Sequence, residues 1–240
     1  MKIIKRVVAS IVLVLGVFLF CSYSYAEEKG LVGYWNFDEG KGDIVKDLSG
    51  NGNDGTIHGA VATAGKIGQA LSFDGVNDYV TVGNIASLNF AGDFTIEAWI
   101  YPKGLGGYQT IAGKQNIAGS SKKEYGFYTS VNSLYFVAND GSGDDGKVEA
   151  NITISNNKMY HIVGVRDNNV IKMFVNGVQQ DDTALTSGSV GDDYPFRIGT
   201  RATLTLFFNG IIDEVKVYNR ALSAQEIKHF YDMGLEGEIL

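Results

Sequence analysis

Residues 94–101 read Phe-Thr-Ile-Glu-Ala-Trp-Ile-Tyr. Alternation puts Phe94, Ile96, Ala98 and Ile100 on one face of a strand, and Glu97, Trp99 and Tyr101 on the other. The apolar face has to be buried against a second layer. The rest of the chain repeats this unit. Short apolar-aromatic runs alternate with clusters of Asn, Asp and Gly, and the 31 glycines far outnumber the 2 prolines. That is the rhythm of many short strands joined by tight turns. Residues 170–175 and Val178 flank Asn176-Gly177, a pair that accepts the positive φ angles of a type I′ turn, so a hairpin is predicted there. A second hairpin is predicted from 125–131 and 134–138 across Asn132-Ser133. Further strands are predicted over 160–165 and 211–218. One short helix follows: Ser223 and Glu226 form a capping box, Leu222 and Ile227 can staple it, and Ile227, Phe230 and Tyr231 share one side.

The N-terminus has a different character. Lys2, Lys5 and Arg6 precede the almost wholly apolar run 7–20, and Ser24-Tyr25-Ala26 follows it. This is the pattern of an export signal spanning 1–26, with cleavage expected after Ala26. The run is shorter than the ~20 residues of a membrane-spanning helix. Residues 27–240 are read as one domain, a size routine for a β-sandwich of ~200–250 residues. The product would be secreted, extracellular or periplasmic. The only cysteine, Cys21, lies in the leader, so the remainder must be held by its core without disulfides. Removing the leader leaves 17 Lys/Arg against 27 Asp/Glu, a net of about −10. Such a surface repels phosphate backbones, which argues against a nucleic-acid partner. It favours cations, calcium among them. No membrane association is expected after cleavage.

Several segments now share a pattern. They are Leu31-Val32-Gly33-Tyr34-Trp35-Asn36-Phe37-Asp38-Glu39-Gly40, then Asp47-Leu48-Ser49-Gly50-Asn51-Gly52-Asn53-Asp54-Gly55, then Gly68-Gln69-Ala70-Leu71-Ser72-Phe73-Asp74-Gly75 with Asp78-Tyr79-Val80. Residues 94–100, Phe174-Val175-Asn176-Gly177, and 208–223 from Phe208-Asn209-Gly210 through Asn219-Arg220-Ala221-Leu222-Ser223 complete it. In this order, from residue 31 to about 233, the chain resembles the LamG-like jelly-roll group of the concanavalin A-like lectin/glucanase superfamily. The resemblance implies an all-β fold: a two-sheet antiparallel jelly-roll sandwich, to which the predicted short C-terminal helix is added. One departure is Tyr160, where the family often has Trp; it should cost little. Members resemble lectins, carbohydrate-binding modules, adhesion domains, and some glycosidases and lyases, so fold alone leaves function open.

Retaining glucanases of this superfamily carry Glu-x-Asp-x-x-Glu on one strand, which places an acid and a nucleophile on one face. No such spacing occurs here. Asp213 and Glu214 are neighbours, which alternation points to opposite faces. His58, His161 and His229 lie in no nucleophile context; His161 is expected to pack and His229 to lie on the surface. Catalysis by a polysaccharide hydrolase or lyase is therefore the minority expectation.

Calcium is the expected cofactor, in a structural site. Asp213 alternates with Ile211, Val215 and Val217 and so is expected on the apolar side, where an unsatisfied carboxylate is costly. A cation or backbone N–H donors would satisfy it. The terminal strands of a jelly roll lie close, which would bring Asp38 or Glu39 near Asp213. Asp47, Ser49, Asn51 and Gly52 echo the early positions of an EF-hand loop, but His58 stands where its last Glu would be. The expected ligands are Asp38, Asp47, Asn51, Asn53 and Asp213; an Asn/Asp/Gly turn making its own hydrogen bonds is the competing reading.

Glycan binding is the expected function. Sugars stack C–H faces on aromatic rings while acids and amides take the hydroxyls. Trp35 and Trp99 lie in fold-defining strands and are expected mainly in the core. The candidate ligand-binding residues are therefore Tyr101, Tyr108, Tyr125, Tyr128, Asp140, Asp144 and Tyr194. A polysaccharide or glycoconjugate is the expected partner, and surface proteins, through an adhesion role, are the alternative.

Overall fold

The computed structural model describes residues 28–115, 123–142, 146–184, 188–191 and 193–236. The expected leader, 1–26, and Asp144 lie outside them. In chain order the strands are β1 (Leu31–Trp35), β2 (Ile44–Val45), β3 (Gly55–His58), β4 (Val61–Ala64), β5 (Gln69–Asp74), β6 (Tyr79–Gly83), β7 (Phe94–Pro102) and β8 (Tyr108–Lys114). They continue as β9 (Lys123–Ser130), β10 (Ser133–Asp140), β11 (Lys147–Glu149), β12 (Tyr160–Asp167), β13 (Val170–Val175), β14 (Val178–Ala184), β15 (Phe196–Ile198) and β16 (Asn209–Tyr218), followed by helix α1 (Ala224–Glu236).

Two eight-stranded antiparallel sheets result. The first runs β14-β13-β12-β7-β16-β5-β4, with β1 paired to the far half of β16. The second runs β11-β10-β9-β8-β15-β6-β3-β2. The expected alternation of β7 holds: Phe94, Ile96, Ala98 and Ile100 enter the core between the sheets. They meet Ile111, Tyr125, Phe127, Phe136 and Phe196 of the second sheet. Among these, the Phe94 ring packs edge-on to Tyr125 at 5.0 Å. Edge-to-face pairs of this kind add to the burial energy.

The predicted turns largely form. Asn176 and Gly177 both take positive φ, 53° and 74°, between β13 and β14. The β9–β10 turn sits one residue earlier than expected: Ser130 pairs Ser133, so Val131 and Asn132 form the loop. Val131 itself takes φ 56°, a conformation that normally selects Gly at this position.

Helix α1 is capped as the sequence requires. Ser223 N–H donates to Glu226 Oε2 at 2.8 Å, and Glu226 N–H returns to Ser223 Oγ at 3.2 Å. Leu222 and Ile227 are buried together in a smaller apolar cluster with Val163, Val165 and Tyr218. The helix lies on the outer face of the first sheet, where Tyr231 stacks on Trp99 at 5.8 Å and Phe230 on Tyr218 at 6.4 Å. Gly234 lies so close to Trp99 that a Cβ there would stand 2.3 Å from the indole. No helix among the described residues is long and apolar enough to cross a membrane.

Candidate functional site

The outer face of the second sheet carries a row of tyrosines. The turn at Val131-Asn132 sets Tyr128 directly opposite Tyr135. Their rings stack at 4.8 Å and 13°. Tyr108, 60% exposed at the start of β8, lies 5.9 Å from Tyr128. Lys147 Nζ sits 5.5 Å over Tyr135, and Glu149 pairs opposite it on β11. Desolvation and the Glu149 carboxylate raise the Tyr135 hydroxyl above its ordinary value, so it stays a donor. Farther along the same face, His58 stacks on Tyr79 at 4.4 Å and Arg197 lies over Tyr79 at 5.6 Å. Tyr128 and Tyr135 stack face on face, so the row presents the exposed Tyr108 ring together with ring edges and hydroxyls, bordered by Lys147 and Glu149.

Of the expected ligand-binding tyrosines, the structure brings Tyr108 and Tyr128 together. Tyr125 is excluded: it is wholly buried, and its hydroxyl donates to Leu88 O at 2.9 Å. Tyr125 and Tyr128 are three residues apart on one strand and must face opposite ways. Tyr101 lies on the first sheet, opposite Ile211, away from the tyrosine row. Tyr194 is exposed in the segment before β15. Asp140 ends β10, where its Oδ1 accepts the Ser142 N–H at 2.9 Å. Tyr135 is not among the expected residues, because a turn at Asn132-Ser133 would set 128 opposite 137.

The expected calcium ligands do not form one site. Asp213 Oδ2 accepts the N–H groups of Lys66 (2.7 Å) and Ile67 (3.1 Å), and Oδ1 that of Glu214 (2.8 Å). Backbone donors thus take the place of the ion. Asp38 is near, as expected, but on the other side of the same turn: its Oδ1 accepts Gln69 N–H at 2.7 Å. Asp47 accepts the N–H groups of Tyr34, Ser49 and Asn53. Asn51 and Asn53 donate to Leu31 O and Val32 O. The loop 47–53 therefore pins β1 through its own hydrogen bonds. Among the described residues no group of three or more His, Cys, Asp or Glu is placed to hold a metal. These residues do not fit a calcium ion.

Asp213 also faces the other way than expected. Ile212, Val215 and Val217 enter the core. A bulge between Asp213 and Lys216 breaks the pairing with β7, and Glu214 takes φ 51°. A bulge adds one residue to one strand and resets the alternation. Asp213 and Glu214 both turn outward, toward Trp99 and the helix. There they join Tyr34, Glu97, His161 and Lys216. Tyr34 Oη donates to Glu214 Oε2 at 2.8 Å. Lys216 Nζ is 3.8 Å from Glu97 and 3.7 Å from Glu28. Burial pushes Asp213 up to about 8, with Glu214 beside it adding to the rise. Burial pushes Glu214 up to about 7, against the pull of Lys216 and Tyr34. Burial opposes ionisation of Glu97 too, yet Lys216 and His161 outweigh it and hold the carboxyl low. Trp99 is 4% exposed beneath α1, so it is no sugar platform.

A family profile described as the concanavalin A-like lectin/glucanases superfamily matches residues 74–228. No curated protein sequence matches. Among solved structures, the binding domain of Paraclostridial Mosquitocidal Protein 1 is similar, with a TM-score of 0.70 and 21% identity over 85% of this chain and 52% of that one. Domain 4 of AbnA, an extracellular GH43 arabinanase from Geobacillus stearothermophilus in complex with arabinotriose, gives a TM-score of 0.66 and 19% identity over 84% of this chain and 98% of that one. Trypanosoma rangeli sialidase gives a TM-score of 0.63 and 17% identity over 85% of this chain but only 33% of its own. The chain thus spans about half of the toxin binding domain and nearly all of the arabinanase domain.

Proposed function

The chain belongs to the concanavalin A-like lectin/glucanases superfamily, and from that premise we propose that it is an exported, non-catalytic glycan-binding module. The observation that supports this is the row Tyr108, Tyr128 and Tyr135 on the outer face of the second sheet. The exposed Tyr108 ring would take the apolar face of a sugar, and the stacked Tyr128–Tyr135 pair on the next two strands would line its edge. Glu149, Lys147 and the ring hydroxyls supply hydrogen-bonding groups at its edge. The arabinotriose complex of the similar arabinanase domain agrees with a sugar ligand. The tripartite leader supports export. Sites this shallow bind weakly one at a time, and useful affinity comes from repetition or from a linked partner.

The test is a glycan array probed with residues 27–240, as wild type and as Tyr128→Ala. Binding to one class of sugar, lost in the variant while the protein stays folded, supports the reading. Binding that survives the change places the site elsewhere. A folded wild type that binds no glycan turns the assignment to protein adhesion.

A further inference from the structure

Arg197 is the one arginine among the described residues that no acid answers. Arg220 pairs with Glu226 at 2.7 Å. Asp93 and Asp140 support the charge of Arg166, and Glu124 that of Arg201. No carboxylate among the described residues does so for Arg197, and burial holds its pKa below the ordinary value. We propose that Arg197 receives the carboxylate of an acidic sugar, at a subsite formed by β3, β6 and β15 on the outer face of the second sheet. The proposal extends the glycan-binding reading and rests on it.

Phe196 and Ile198 enter the core, so Arg197 between them leaves the sheet outward. Its Nη1 is taken by the loop that follows β15, donating to Arg201 O at 3.1 Å and Ala202 O at 2.6 Å. Its Nε is buried and closed to a ligand. Nη2 is different: it bonds to no described residue and is not shut away from solvent. One corner of the guanidinium is thus open, while the loop carbonyls and the Tyr79 ring, 5.6 Å away, hold the group in place. A donor fixed in advance binds at a lower cost in entropy. Hydroxyls stand beside it. Thr81 pairs opposite Arg197, and Thr56 opposite Thr81. Val80 and Val82 enter the core, so Thr81 faces outward with Arg197. Side chains opposite each other on a sheet stand about 5 Å apart. The ligand's charge follows from the chain's. Without its leader the chain has a net charge of about −10, so a desolvated guanidinium with no internal acid is an exception on an acidic surface. A carboxylate gives it charge-assisted hydrogen bonds, the stronger kind. The sugar follows from the surroundings. Thr56 and Thr81 match sugar hydroxyls, and Tyr128 on β9 lies two strands away across β8, about 10 Å in the plane of the sheet. One oligosaccharide can reach both.

The test uses oligomers of galacturonic, glucuronic and mannuronic acid, each beside its methyl ester, with residues 27–240 as the binding protein. The ester keeps the sugar and removes the charge. In at least one series the acid should bind roughly tenfold more tightly than its ester. The gap should narrow as salt rises from about 0.05 to about 0.5 M. Arg197→Gln should bring the acid down to the level of its ester and leave the ester unchanged. Lys228→Gln removes the same charge from α1, on the far side of the molecule, and should leave the preference intact. If Arg197→Gln fails to fold, since Arg197 also ties down the loop after β15, the difference between acid and ester in wild type and its response to salt decide. An ester bound as tightly as its acid, or an acid preference that survives in folded Arg197→Gln, overturns the subsite and leaves the glycan-binding reading standing. A folded chain that binds neither form, and no neutral glycan, overturns both.

Discussion

Asp213 and Glu214 are consecutive, yet both side chains leave β16 on the face away from the core, because the bulge between Asp213 and Lys216 breaks the two-residue period. Ile212 before them and Val215 after them both point inward. Two acids are thereby buried side by side on the outer face, Asp213 against the 65–68 turn and Glu214 against Tyr34. Burial makes both harder to ionise; Glu214 adds to the effect on Asp213, and Glu97 and Asp38 add to that on Glu214.

Stability should therefore depend on pH in a definite direction. In the unfolded chain both acids ionise near pH 4. In the fold Asp213 titrates at about 8 and Glu214 at about 7. Between these limits the folded protein holds more protons than the unfolded one, so stability falls as pH rises. Glu226 acts in the opposite sense. Arg220 holds it down to about 2, so its contribution is complete above about pH 4.5 and is lost as pH falls toward 2. Melting temperature should peak near about pH 5. By about pH 8.5 it should drop by roughly 3–6 °C for each ~1.4 kcal/mol of stability lost as the two acids ionise. Asp213→Asn should flatten the alkaline limb. A melting temperature that climbs from pH 5 to pH 8.5 would mean that Asp213 is ionised in the fold.

Removing the Asp213 carboxylate strands three N–H groups, those of Lys66, Ile67 and Glu214. A buried donor left unpaired costs about 1–3 kcal/mol. Asp213→Ala should cost roughly 3 kcal/mol, or about 6–12 °C in melting temperature for a chain of this size. The turn lies so close to the carboxylate that a Cβ on Gly65 would stand 2.5 Å from its Oδ2, so position 65 has to be glycine. Wild-type protein should melt at the same temperature in calcium and in chelator. A rise of several degrees with calcium that vanishes in Asp213→Ala would make the carboxylate a ligand after all.

The parts of the fold that could be read in advance are those governed by neighbours in sequence. The alternation of β7, the Asn176-Gly177 turn and the Ser223–Glu226 capping box each depend on a few adjacent residues, and each forms. The site was less legible because it depends on register and on long-range cover. One residue of slip at Val131-Asn132 hid the Tyr128–Tyr135 pair. No local signal marks the bulge in β16, whose sequence alternates well enough to suggest the wrong face for Asp213. Trp99 shares an outer face with Glu97 and Tyr101 as expected, but it is closed off by Tyr231 and Gly234, more than a hundred residues away. Tyr125 is different, since its odd separation from Tyr128 was enough to put the two on opposite faces.

Helix α1 should be the first element to loosen. Its hold on the sheet includes the capping box, the Arg220–Glu226 ion pair, the Leu222–Ile227 cluster and three ring stacks, Tyr231 on Trp99 and on His161 and Phe230 on Tyr218. Ser223→Ala removes the cap, at a cost of about 1 kcal/mol. Trp99 should then become more accessible to a fluorescence quencher while the far-ultraviolet spectrum of the sheets stays unchanged. Quenching equal to wild type would show that the ring contacts alone seat the helix.

The contrast between Tyr125 and Tyr128 separates stability from binding on a single strand. Tyr125 donates to Leu88 O from within the core and touches Phe90, Phe94 and Phe196. Tyr125→Phe keeps the ring and loses the hydrogen bond, leaving the Leu88 carbonyl without its donor; it should cost about 1 kcal/mol of stability. Glycan affinity should not change. Tyr128 stands between Tyr108 and Tyr135 on the outer face. Tyr128→Ala removes the middle ring of the platform and should weaken a bound oligosaccharide roughly tenfold, ~1.4 kcal/mol, with little change in melting temperature. Titration calorimetry and thermal melts on the two variants decide the matter. A Tyr125→Phe variant that loses sugar affinity as Tyr128→Ala does would mean that the platform depends on the core beneath it, and the tyrosine row would no longer account for recognition by itself.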